Sequence, residues 1–223
     1  MINKLLKKII KHFTHPLISI FYDLRKIYYL YSWFILTKIY NVKIPKTNFL
    51  IDPDYIDLLN LFNMILKRKP LNIIEVGSGY STLIILHAVK LNIRKYKIDC
   101  KFYSLEQDAK YLEQMKNFFT NEDLKILNFI KTDLKIINFK GENVSLCENL
   151  PNYKFNFFYE DRADHSEYKI AGDALFIEKD MPKDYFICVD GMKETVNFYK
   201  KNLERKYKIS KKIFAGTNFE PRL

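Results

Sequence analysis

The sequence predicts an α/β fold: a doubly wound, mostly parallel sheet with helices on both faces, preceded by an α-helical N-terminal extension. Two patterns lead there. From about residue 70 onward, short runs of β-branched and aromatic residues alternate with helical patterns, the signature of strands joined by crossover helices. Near the start of that alternation, "IIEVGSGYSTLIIL" (residues 73–86) runs a strand-like segment into two closely spaced glycines and on into a helix.

A third observation separates the extension from the domain. Residues 1–50 hold nine lysines and arginines against one acid, Asp23, a net +8, whereas the remaining residues hold 28 basic and 25 acidic side chains, a net +3. The chain's formal +11 is therefore concentrated in its first segment, and residues 51–223 form a nearly balanced domain. With 48% apolar residues over 223 positions, that domain can bury a core of its own. Cys100, Cys147 and Cys188 are odd in number and widely spaced, with no C-x-x-C pair, which argues against a disulfide framework and a zinc site and fits buried thiols in a reducing compartment.

Within the extension, Ile2, Leu5, Leu6, Ile9, Ile10 and Phe13 recur at helical spacing with lysines at 4, 7, 8 and 11 between them, a basic amphipathic helix. The lysines interrupt the apolar run that a signal peptide would need. The next stretch is rich in Tyr, Phe and Ile, and its longest uncharged run, 27–37, is too short to cross a bilayer. Two expectations stand for residues 1–50: packing on the domain or on a second copy as a homodimer, or peripheral contact with an anionic membrane, at the inner face of a cytoplasmic location.

The domain begins with "DPDYIDLLNLFNMILKRKP", where Asp52 suits a helix N-cap, Pro53 the first helical position, Lys67, Arg68 and Lys69 the C-terminal dipole, and Pro70 the stop. Strands are expected at 71–76, 101–105, 125–130, 153–159, 185–189 and 208–214, and helices at about 80–91, 108–119, 165–178 and 192–204. In such a sheet, ligands sit beyond the carboxyl ends of the strands, where strand order reverses.

At the first strand end stand Glu75, Gly77, Ser78, Gly79, Tyr80 and Ser81. Gly77 and Gly79 allow a sharp turn and close approach of a ligand. A dinucleotide fingerprint would want a small residue at position 82, where Thr82 stands. Glu75 is poorly matched to a pyrophosphate and well matched to a cofactor with a cationic amino-acid end. Glu106, at the second strand tip, can accept both hydroxyls of a ribose, and Asp108 caps the following helix.

E-V-G-S-G-Y-S-T followed about 30 residues later by Y-S-L-E-Q-D resembles the first two motifs of the class I, Rossmann-like S-adenosylmethionine-dependent methyltransferases. The resemblance spans roughly residues 52–223, with its specific motifs between 73 and 108. It implies that Gly77 to Ser81 hold the methionine part of S-adenosyl-L-methionine, that Glu106 holds the ribose, and that Asp133 in "IKTDLK" lies near the adenine. "FNFFYEDRADH" resembles the family's fourth-strand pattern, with Asp161 at the aspartate, His165 near the histidine, and Arg162 departing from the usual small residue. Asp190-Gly191 ends the fifth strand.

Asp161, His165 and Asp190 are thus the candidate catalytic residues, since transfer to a hydroxyl requires proton removal and alignment of the acceptor oxygen. Catechol-type relatives place metal-binding acids at these two strand ends, but Gly191 stands where that pattern has Asn or Asp, so a divalent metal is not favoured. The expected function is methyl transfer to a small-molecule or glycan acceptor, on oxygen. Nucleic acid is disfavoured as a partner, because the fourth strand lacks an N-P-P-Y-type loop and the basic charge lies in the extension. The alternatives are an NAD-linked oxidoreductase and a non-catalytic membrane-surface protein retaining the fold.

Overall fold

The computed structural model describes residues 23–50, 52–162, 170–211 and 216–222. The amphipathic pattern at 2–13 and the candidate His165 lie outside the described residues. In chain order the elements are α1 (23–34, continuing as a π-helical turn Ile35–Ile39), α2 (Tyr55–Arg68), β1 (Asn72–Val76), α3 (Tyr80–Tyr96), β2 (Lys101–Glu106), α4 (Ala109–Lys116), β3 (Leu127–Lys131), β4 (Leu134–Phe139), β5 (Glu142–Cys147), β6 (Phe157–Glu160), α5 (Asp173–Ile177), β7 (Phe186–Val189), α6 (Lys193–Asn202), β8 (Tyr207–Lys211) and β9 (Thr217–Pro221).

Seven strands form one sheet in the order β3-β2-β1-β6-β7-β9-β8. The first five run parallel; β9 is antiparallel to both β7 and β8. From β1 the chain winds outward through β2 and β3, then returns to place β6 and β7 on the other side, so order reverses between β1 and β6. A crevice opens at such a reversal because the crossover connections on its two sides diverge.

The central strands are buried on both faces, which is why "FFYE" and "FICV" read as continuous apolar runs. Alternate residues feed two cores. Ile73, Phe157, Tyr159, Phe186 and Cys188 pack beneath α2 and α3, while Ile74, Phe158, Ile187 and Val189 pack against α5, α6 and the β4–β5 hairpin. All three cysteines are buried.

Several boundaries differ from the sequence expectation. The cap of α2 is Asp54, whose side chain accepts from the Ile56 N–H at 2.9 Å, leaving Asp52 exposed at the cleft mouth. The antiparallel hairpin β4–β5 was not expected; it turns on Lys140 and Gly141, both at positive φ, a two-residue turn suited to the right-handed strand twist. β9 was also absent from the expectation; β8 is described over Tyr207–Lys211, and positions 212–214 of the expected strand lie outside the described residues. Helix α4 is shorter than 108–119, with Asp108 as its cap, accepting from Lys110 N–H at 2.8 Å and Tyr111 N–H at 3.0 Å.

Candidate functional site

A cleft of about 660 Å³ lies at the carboxyl ends of the strands, over the reversal point. Its floor is the β1–α3 loop with the ends of β2, β6 and β7; its rim is the segment around Phe49 and the first turn of α2. Gly77, Ser78, Gly79, Tyr80, Ser81, Glu106, Asp161 and Asp190 all line it, so the strand ends converge these sequence candidates. Glu75 and Asp133 do not line it. Glu75 is fully buried beneath the loop, and Asp133 is exposed beside the tip of β3, paired with Lys131, while its neighbour Thr132 faces the cleft.

The loop's backbone is organised by its own side chains. Gly77 N–H donates to Leu105 O at 2.9 Å, Ser78 N–H to Glu106 Oε2 at 3.2 Å, and Gly79 N–H to Thr82 Oγ1 at 2.9 Å. Thr82 in turn donates to Glu75 Oε2 at 2.6 Å, and Ser104 donates to the same oxygen at 2.7 Å while its hydroxyl sits 2.8 Å from that of Ser78. A dinucleotide site needs such amides directed at phosphate. Here three successive N–H groups are already occupied by a carbonyl, a carboxylate and a hydroxyl. Burial raises Glu75 to about 7, against the pull of the hydroxyls of Ser81, Thr82 and Ser104. The carboxyl thus acts under the loop, holding its shape, rather than at the ligand surface.

Gly77 is required by packing as well as by its turn. At φ +98° it occupies the left-handed region, and a Cβ there would stand 2.4 Å from the Asp161 carbonyl oxygen. The β1 loop and the β6 loop therefore touch backbone to backbone, with Asp161 N–H donating to Val76 O at 2.9 Å.

Glu106 is held from the other side. Its Oε1 accepts the N–H groups of Gln107 (2.7 Å) and Asp108 (2.9 Å), which with Ser78 fixes the carboxylate over the cleft and leaves lone-pair capacity for hydroxyl donors. Tyr111 lines the same end, with Phe49 edge-on to its ring at 5.4 Å.

The opposite end is acidic and poorly compensated. Burial, then the Asp190 and Glu75 carboxyls, push Asp161 well above the usual carboxylate range, and burial raises Asp190 against the pull of Tyr159, whose hydroxyl donates to Asp190 Oδ2 at 3.2 Å. Asp57, on the first turn of α2, is raised to about 7 by burial, then by Asp190 and Asp54, with Arg25 opposing. The Ser81 hydroxyl, 3% exposed, faces both Glu75 and Asp161 and lowers both, yet completes no well-formed hydrogen bond.

Arg162, the departure from the family pattern, turns away from the acids of the cleft. Its guanidinium, 6% exposed, donates to Glu160 at 2.7 Å, to Ser145 at 3.2 Å and to Asp173. This clamps the loop after β6 onto β5 and α5 and sets the register that brings Asp161 into the cleft. Among the described residues, no group of three or more His, Cys, Asp or Glu is arranged to hold a metal ion. Asp57, Asp54, Tyr159 and Tyr111 were not anticipated as cleft residues. The closely spaced acids of "DPDYID" were the available signal for the first two.

No protein-family model matches this chain, and no curated protein matches it in sequence. Solved structures do match in fold. The methyltransferase PaMTH1 of Podospora anserina, solved with SAH bound, has a TM-score of 0.52 at 14% identity over 87% of each chain. The O-methyltransferase from Bacillus cereus in complex with SAH has a TM-score of 0.50 at 11% identity, over 89% of this chain and 100% of that one. The O-methyltransferase TomG from Streptomyces achromogenes, involved in tomaymycin synthesis and solved with SAM, has a TM-score of 0.51 at 12% identity, over 88% and 96%. The fold is that of the Rossmann-like class I methyltransferases.

Proposed function

We propose that this chain is an S-adenosyl-L-methionine-dependent methyltransferase acting on a small-molecule acceptor. The observation that carries it is the β1–α3 loop, whose Gly77, Ser78 and Gly79 amides are occupied internally, so the loop offers a shaped, acid-backed concavity in place of a pyrophosphate cradle. The donor set fits the group. Glu106 keeps lone pairs for ribose hydroxyls; the buried Ser81 hydroxyl and the Asp161 carboxyl fit the cationic methionine end beside Gly77 to Tyr80. When bound, S-adenosyl-L-methionine supplies an electrophilic methyl group. The protein's task is to align the acceptor and take up its proton, for which Asp161 and Asp190 are the described candidates, with His165 the third proposed participant. Methylation on oxygen of a small molecule or glycan is the sequence expectation kept for this site. Asp133 has no geometric support as an adenine contact, and Thr132 and Gln107 take its place along the cleft wall.

The test is thermal stabilisation by SAM, SAH and NAD. A hundredfold excess of SAH over its dissociation constant stabilises by about 2.7 kcal/mol. Stabilisation by NAD alone overturns the reading in favour of the oxidoreductase, and binding of SAM without transfer of its labelled methyl group to any acceptor favours the non-catalytic alternative.

We further infer that residues 1–50 make peripheral contact with an anionic membrane. What supports it is the exposed apolar face of α1, including Leu24 (58% exposed), Ile27 (64%) and Leu30 (61%), in the segment that carries most of the chain's net positive charge. No helix among the described residues is long and apolar enough to cross a membrane. Co-sedimentation of the full chain with anionic but not neutral vesicles is the expected result; a dimer in solution with no vesicle binding assigns the face to a second copy.

A further inference from the structure

We propose that the acceptor carries a cationic amino group, received by Asp57, Asp190 and the side-chain oxygen of Asn218; this rests on the methyltransferase reading above and, of the candidates named there for proton uptake, leaves Asp161 and His165 to that role. Among the described residues, the cleft is lined by Asp52, Asp54, Asp57, Glu106, Asp108, Asp161 and Asp190 against one basic side chain, Arg162. That guanidinium is engaged by Glu160 and Asp173, so it neutralises none of them. In a chain of formal charge +11, seven acids around one cleft make a local field of the opposite sign.

The cofactor accounts for only part of this charge. Glu106 and Asp108 belong to the β2 end, and the Asp161 carboxyl to the cationic methionine end beside Gly77 to Tyr80. Asp54 is paired with Arg25 at 2.8 Å. Asp52 is exposed at the cleft mouth, so Asp57 and Asp190 remain at the sheet end, with Asp190 raising Asp57, Arg25 acting on Asp57 while ion-paired to Asp54, and the Tyr159 hydroxyl donating to Asp190.

An independent observation points to what they receive. A narrow recess opens between α2 and the β7–β9 edge, lined among others by Asp57, Asn60, Tyr159, Asp190 and Asn218, with about 10 Å³ of free space. That is room for a single non-hydrogen group. Asn218, paired in register with Cys188, is 5% exposed, and its side-chain oxygen has no hydrogen-bond partner; one oxygen of Asp57 is likewise buried and unpartnered. Unmade hydrogen bonds on buried oxygens are costly, and three acceptor groups around a one-atom recess call for a group that donates several. An ammonium carries three donors and a positive charge, whereas a hydroxyl carries one donor and none. Charge-assisted bonds to the two carboxyls are about twice as strong as neutral ones, and the same carboxyls repel an acceptor bearing phosphate or carboxylate. The raised proton affinity of Asp57 agrees: a bound cation restores its ionised form.

The experiment titrates the full-length protein, saturated with SAH, with alkyl- and arylamines, each paired with the alcohol of the same skeleton. Phenethylamine against phenethyl alcohol is one such pair. SAH stabilisation is measured first, and its absence removes the methyltransferase reading, not this assignment alone. Given SAH binding, the expected result is at least a tenfold preference for the amine in one or more pairs. Asp57→Asn and Asn218→Leu, each checked for retained SAH binding, are expected to bring that ratio near one. Equal or better binding of the alcohols overturns the proposal, as does failure of every pair, or a preference that survives both substitutions. Loss of amine binding in millimolar magnesium with a gain in alcohol binding also overturns it, in favour of a metal at the carboxyls.

Discussion

The two ends of the cleft hold their carboxylates in opposite ways. At the β2 end, Glu106 receives three backbone N–H bonds and Asp108 two, so each charge is matched by dipoles that the fold itself supplies. At the α2–β6–β7 end, Asp190 raises both Asp57 and Asp161 and is itself raised by burial and Asp54, and buried oxygens of Asp57 and Asn218 are left without donors. The first end is complete before any ligand arrives. The second is held at a cost that a proton or a ligand relieves, as is common where function rather than stability decides the residues.

Several measurements break or sharpen that contrast. The largest effect is expected at Arg162, which makes the crowded end possible by anchoring its loop. Arg162→Met leaves Glu160 and Asp173 buried without their cation and should cost about 3–5 kcal/mol in chemical denaturation, while a triple replacement with apolar residues of similar volume recovers much of the loss. Next is Gly77→Ala, where a left-handed φ and a 2.4 Å approach to the Asp161 carbonyl should together cost roughly 3 kcal/mol or more. A variant as stable as the parent would show that the two loops are not locked together.

Glu75→Gln tests the layer beneath. The folded-state carboxyl, raised to about 7 from 4.5, contributes stability that is full below the unfolded pKa and lost as pH rises through 7. The melting temperature of the variant should therefore gain on the parent between pH 4.5 and pH 8, by a stability difference on the order of 3 kcal/mol. A difference independent of pH would mean that Glu75 is not held protonated in the fold. Asp57→Asn should behave alike but more weakly. With Asp57 partly solvated, screening reduces the gain above pH 7 to about 1 kcal/mol or less, falling away as pH drops and vanishing below the unfolded value of 3.8.

The smallest stability effect is expected at Gly79→Ala. Its backbone is extended, and an added Cβ meets only ordinary contacts at 3.7 Å to Tyr111 and 3.9 Å to Ser81, so stability should change by within about 0.5 kcal/mol. Reduced SAH affinity at unchanged stability would place the cofactor against this glycine. The two glycines of one motif thus face different surroundings: Gly77 the backbone of another loop, Gly79 only ordinary side-chain contacts at the cleft wall.

Much of the architecture was readable along the chain. Alternation of apolar runs with helical periods announces the parallel sheet, and Asp108 and the G-S-G turn announce the start of their helices, because these signals are local and survive without knowledge of the neighbours. The β4–β5 hairpin escaped because its turn is Lys140-Gly141 rather than Asn-Gly, and its strands carry little apolar alternation. Asp133 was placed by the family resemblance, yet one residue decides which face of the chain looks inward, and Thr132 has that position.

Glu75 marks the boundary between what sequence and structure each decide. Its residue type, ahead of the glycines and followed by Thr82, is enough to disfavour a pyrophosphate, since charge needs no coordinates. That it acts from below, through Thr82 and Ser104, depends on β2 lying beside β1 in one register. The same holds for Arg162, Asp57 and Asn218. Their significance arises from neighbours 11, 133 and 161 positions away, Asp173, Asp190 and Asp57 respectively. A sequence states which charges exist, but only the folded chain brings them close enough, and dry enough, for their Coulomb and desolvation energies to act.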